Sequence, residues 1–104
     1  MRVCALVSDL MDRSKLSVAR ADVEFVRDAA SCAGADIVVV DLARFGADVA
    51  GVRAIAPAAR IVCFGPHVDD SSAAAATEAG ADVVLPRSRF FRDPAVAISP
   101  AAGL

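Results

Sequence analysis

Ile37, Val38, Val39 and Val40 are four consecutive β-branched residues set between Asp36 and Asp41. Nothing alternates within this run. That pattern predicts a strand over residues 36–40 buried on both faces, as in a parallel sheet covered by helices. Comparable runs predict strands over residues 3–7, 60–64 and 82–85. Residues 22–26 alternate instead, with Asp22 and Glu24 against Val23 and Phe25. They predict a half-exposed edge strand whose charges discourage pairing with another chain.

Helical signals fall between these strands. Residues 10–19 predict a helix capped by Asp9 or Asp12, with Leu10, Ser14 and Val18 or Ala19 sharing a face. Asp28 predicts a brief helix through Cys32, ended by Gly34. Phe45, Val49, Val52 and Ile55 fit one helical face, stopped by Pro57, although Gly46 and Gly51 weaken that period. Residues 71–79, behind Asp69 or Asp70 and before Gly80, predict an alanine-rich helix. A last helix is expected over residues 90–98 with Pro94 in its first turn, then a frayed tail from Ser99.

Strand and helix thus alternate five times. The chain of 104 residues reads as one α/β domain with a doubly wound five-stranded parallel sheet, order 2-1-3-4-5, and short helices on both faces. The three most apolar strands, the first, third and fourth, belong at its centre.

Charge and cysteine usage narrow the function. A formal net charge of −2 leaves no basic footprint for nucleic acid. No apolar run is long enough to span a membrane. Met1 and Arg2 lead straight into the first strand, so no signal peptide and a cytoplasmic location are expected. Cys4, Cys32 and Cys63 form no CxxC pair and read as buried free thiols.

Candidate chemistry follows from topology, because sites in open α/β sheets form at the carboxyl ends of the strands. There the expected order brings together Asp9, Asp41 and the segment Gly65, Pro66, His67, with Arg87, Ser88 and Arg89 beyond the fifth strand. Asp9 and Asp41 would repel unless a proton or cation intervened, and Mg²⁺ with waters would suit them. The alternative is that each caps a helix. Asp12 is expected to face solvent. His67 offers a base, an anion ligand or a loop-holding hydrogen bond. Arg87 would either pair with Asp41 or, with His67, Ser88 and Arg89, clamp an anion.

On these residues the layout resembles the receiver domain of two-component response regulators, a flavodoxin-like three-layer sandwich. The resemblance covers residues 2–98 and implies that Asp41 is the phosphoacceptor and that Asp9 and Asp41 hold Mg²⁺. It also marks departures. Ser8 and Asp9 stand where the family has an acidic pair, Gly65 where it has Thr or Ser, and Arg87 where it has Lys. Pro86 precedes that basic residue instead of following it, and matching the prolines would put Leu85 at the lysine position and leave the site without its cation. The expected function is therefore an atypical or pseudo-receiver, a stand-alone, non-enzymatic signalling module acting through a protein partner and tuned by Mg²⁺ or by anion or phosphoryl binding at Asp41. A small anion-binding protein or enzyme using Asp9, Asp41, His67, Arg87 and Ser88 is the first alternative. A structural subunit is the second, forming a homodimer through the last two helices with Phe90 and Ala95 on the contact face.

Overall fold

The computed structural model describes residues 1–66 and 69–99. Five strands, β1 (Val3–Leu6), β2 (Val23–Phe25), β3 (Ile37–Asp41), β4 (Arg60–Gly65) and β5 (Val83–Pro86), form one parallel sheet in the order β2-β1-β3-β4-β5. This is the expected topology. β1 and β3 are buried throughout, whereas β2 and β5 at the edges are only partly covered.

Among the described residues six α-helices flank the sheet: α1 (Leu10–Ala19), α2 (Leu42–Phe45), α3 (Val49–Ile55), α4 (Asp70–Ala79), α5 (Arg87–Phe90) and α6 (Pro94–Ala97). The pleat divides each central strand between two cores. Cys4, Leu6, Val38, Val40, Ile61 and Cys63 pack with Val49 and Val52 of α3 and Ala76 of α4. Ala5, Val7, Val39, Val62 and Phe64 pack with Leu16 of α1, Phe90 of α5, and Ala97 and Ile98. Each fully buried Val, Leu, Ile or Phe side chain contributes about 1.5–3 kcal/mol relative to exposure. The unalternating runs therefore follow from two covered faces. All three cysteines are buried free thiols, as expected.

Three helical expectations need correction. α1 turns Asp12 and Leu16 inward, while Leu10 and Val18 are 78% and 86% exposed. The predicted apolar face thus points to solvent, because the inward face carries a carboxylate that hydrophobic patterning does not count. Phe45 to Ile55 is not one helix: α2 is followed by a 3₁₀ turn over Gly46–Asp48, and Ile55 is exposed on α3. The last helix is two, since the Asp93 carboxylate accepts the Val96 N–H and starts α6 with Pro94 in its first turn. Phe90 is wholly buried and so lies on no contact face, although Ala95 is exposed.

At the amino end of the sheet, Arg53 ties α3 to the strands. Its guanidinium donates to the carbonyls of Gly80, Pro57 and Ala59 and to the Asp82 carboxylate. Gly80 closes α4 at φ +125°, where a Cβ would come within 2.7 Å of the Arg53 Cβ. That end leaves the opposite rim free for loops.

Candidate functional site

The opposite rim is set by strand register. Asp41 pairs with Phe64 and Phe64 with Leu85, while Gly65 pairs with Pro86. Residues just past β3, β4 and β5 therefore emerge side by side. α1 starts from the same rim: Asp9 is its N-cap, and its carboxylate accepts the Asp12 N–H at 3.0 Å. Asp41 is the N-cap of α2 and accepts the Ala43 N–H at 3.1 Å. Both aspartates thus do the capping set out as the alternative to metal binding.

The strongest contact at this rim joins two other groups. Arg87, the first residue of α5, donates from its two terminal nitrogens to the two oxygens of Asp12, at 2.8 and 2.6 Å. Such a bidentate pair is short, directional and charge-assisted. The Asp12 side chain is 2% exposed and that of Arg87 37%. Beneath the guanidinium lie the rings of Phe64 and Phe91, with centroids 5.5 and 5.1 Å away. Phe64, Phe90 and Phe91 pack on one another with centroid separations of 4.8 to 5.0 Å. The aromatic cluster is a platform that holds the arginine in place.

Asp41 is 4% exposed, and burial pushes its carboxyl above the ordinary aspartate range. The Ala43 N–H and the positive charges of Arg87 and Arg44 oppose that shift, whereas the negative charge of Asp12 adds to it. Arg87 also feels the charges of Asp41 and Asp9. Asp12 holds the guanidinium, and the helix caps Asp9 and Asp41 share its rim.

Asp9 and Asp41 are at one rim, but Asp12 is buried rather than facing solvent, and it takes Arg87 in place of Asp41 or an anion. The one sequence signal for Asp12 is its spacing, since residues 12, 16 and 19 repeat at i, i+4 and i+7 with Leu16 and Ala19, but a carboxylate there reads as solvated without its distant partner. Ser88 and Arg89 are exposed on α5. His67 lies outside the described residues, as does the tail 100–104. Gly65 ends β4 with no hydroxyl to offer. For a divalent ion the rim would leave Asp9 and Asp41, each already capping a helix through one backbone N–H. Both Asp12 oxygens are engaged by the guanidinium, and among the described residues no three His, Cys, Asp or Glu side chains gather as metal ligands.

No protein-family model matches the chain, and none of the curated proteins does. Solved structures do. A response regulator from Hahella chejuensis is 21% identical, with a TM-score of 0.75 over 92% of this chain and 91% of that one. A response regulator protein from Burkholderia pseudomallei, solved with a phosphorylated aspartic acid, calcium ion and citrate, is 21% identical, with a TM-score of 0.72 over 98% of this chain and 69% of that one. A candidate pilus assembly protein from Burkholderia thailandensis is 20% identical, with a TM-score of 0.70 over the whole of both chains. The fold is that of response-regulator receiver domains. No described helix is long and apolar enough to cross a membrane.

Proposed function

We propose that this chain is a cytoplasmic, non-enzymatic signalling module of receiver fold that acts by protein contact, with the rim around Asp41 serving structure more than phosphotransfer. The observation that carries the reading is where apolar surface remains exposed. Of the six exposed large hydrophobic side chains among the described residues, Leu10, Met11 and Val18 are on α1 and Val96 is on α6, which packs against α1. Met11, Ser14, Lys15 and Val18 recur at i, i+3, i+4 and i+7 and form one face of α1. Three of these residues line a groove of about 510 Å³ with Phe91, Arg92, Pro94 and Ala95. Exposed apolar side chains set together on one helix face support a contact surface there.

Charge suggests the partner. The Lys15 ammonium stands over the Phe91 ring, 5.2 Å from its centroid, and Arg92 shares the groove with Asp93, whose carboxylate accepts the Val96 N–H. A partner helix with one apolar face and flanking carboxylates suits such a groove. A second copy meeting through α1 and α6 is the competing occupant, and it relocates the dimer surface expected at Phe90. The match to a candidate pilus assembly protein over the whole of both chains supports a role exercised beside other proteins. Two observations favour contact over a phosphoryl switch at Asp41: Gly65 offers no hydroxyl, and Arg87 is held by Asp12.

The test is a photo-reactive residue at position 18, with position 55 on the opposite layer as control. The expected result is one discrete adduct from position 18 only, weakened by Lys15→Glu and unchanged by Mg²⁺ with beryllofluoride. Adduct mass separates a partner from a second copy. Equal labelling from both positions, or an adduct that appears only with beryllofluoride, would overturn the reading.

A further inference from the structure

The guanidinium of Arg87 is fixed more firmly than a cation on a four-residue surface helix need be. Asp12 holds both its terminal nitrogens, and Phe64 and Phe91 back its flat face. A planar fork that matches a carboxylate and stacks on aromatic rings stays in one geometry, unlike a swinging ammonium. Besides Asp12, its bidentate partner, the same rim carries the carboxylates of Asp9 and Asp41, which cap α1 and α2. Carboxylates that share a rim without a cation repel one another. A hard divalent ion relieves such repulsion through oxygen ligands and retained waters. Here a covalently tethered charge is already present, and its partner's oxygens are taken. An incoming ion would meet a field already partly neutralised and would have to displace a bidentate contact on a 2% exposed side chain.

We infer that Arg87 is the resident counter-ion of the Asp9, Asp12 and Asp41 cluster, a built-in replacement for a divalent cation, and that the native chain leaves this site without Mg²⁺ or Ca²⁺ at millimolar concentrations. The inference draws on the receiver-fold reading only for the place where a metal would be sought. The contact between Arg87 and Asp12 requires no partner.

The test follows the backbone amides of Asp9, Asp12, Asp41 and Ala43 in ¹H–¹⁵N spectra of the full chain, titrated with Mg²⁺ and then with trace Mn²⁺. The native chain is expected to show neither a saturable shift nor selective broadening at millimolar Mg²⁺. Arg87→Met keeps an apolar stem on the two rings and removes the charge. It is expected to bind Mg²⁺ saturably and at least about tenfold more tightly than the native chain. Arg87→Gln repeats the test should the methionine variant not fold. Saturable millimolar binding by the native chain overturns the inference, as does a folded neutral variant that gains none. A native chain that binds Mg²⁺ and still cross-links through position 18 overturns the counter-ion assignment while leaving the protein-contact reading intact.

Discussion

Arg87→Met also makes the sharpest stability prediction. The substitution leaves the Asp12 carboxylate, 2% exposed, without its bidentate cation. Removing one partner of a buried ion pair costs about 3–5 kcal/mol. Arg87 is 37% exposed, so water screens its side of the pair and the expectation falls to about 2–3 kcal/mol. Losing the cation over Phe64 and Phe91 adds about 0.5–1 kcal/mol, while the methionine stem retains part of the ring contact. A total near 3 kcal/mol is a large share of a stability of about 5–15 kcal/mol. With an m-value of about 1.5 kcal/mol/M, the urea midpoint falls by about 2 M. The double variant Asp12→Asn/Arg87→Met has no carboxylate left unpaired there and should recover at least about half of that loss, a coupling of roughly 1.5 kcal/mol. A loss below about 0.5 kcal/mol for the single variant, or an additive cycle, would refute the claim that this pair organises the rim.

Other outcomes follow from the same geometry. Asp41→Asn should raise the urea midpoint at neutral pH, because burial lifts the Asp41 carboxyl above its ordinary value and folding then favours the protonated form. The sign is definite: the native chain loses this contribution as pH rises from the ordinary carboxylate range through the folded value, so the advantage of asparagine should shrink as pH falls back through that window. A gain that grows on acidification would contradict it. Gly80→Ala should cost about 2 kcal/mol or more, against about 1 kcal/mol for Gly34→Ala, because both have positive φ but only at Gly80 does a Cβ strike Arg53. Equal midpoints in urea would count against that. Cys32 and Cys63 are buried, with thiols pushed up to about 11 and about 12, so the folded chain should resist alkylation at pH 8 until denaturant is added. Labelling of either at the rate of a free thiol would contradict their placement.

The sheet was legible because its signals are local. Ile37 to Val40 reads as a doubly covered strand wherever it occurs, and Gly80 and Pro57 stop helices within a residue or two of the observed ends. Asp9 and Asp41 could be placed at one rim once strand order was known. Asp12 could not be judged in the same way. A polar residue on a helix reads as solvated, and what turns it inward is a partner 75 residues away. Hydrophobic patterning therefore turns α1 about half a turn away from its packed orientation, with Leu10 and Val18 inward, and hides the surface actually left exposed. The break between α5 and α6 was hidden for a related reason: Asp93 caps a new helix where apolar spacing suggests continuation. Arg87 was recognised as the cation of the rim, but its choice among three carboxylates depended on packing over Phe64 and Phe91.

The central claim is that a guanidinium, not a metal ion, holds this rim together. A crystal structure grown with Mg²⁺ and beryllofluoride tests it most directly. The account predicts Arg87 still bidentate on Asp12, with the Asp41 carboxylate capping α2 and no ion bridging it to Asp9. An ion coordinated between Asp9 and Asp41, with the arginine swung clear of Asp12, would contradict it.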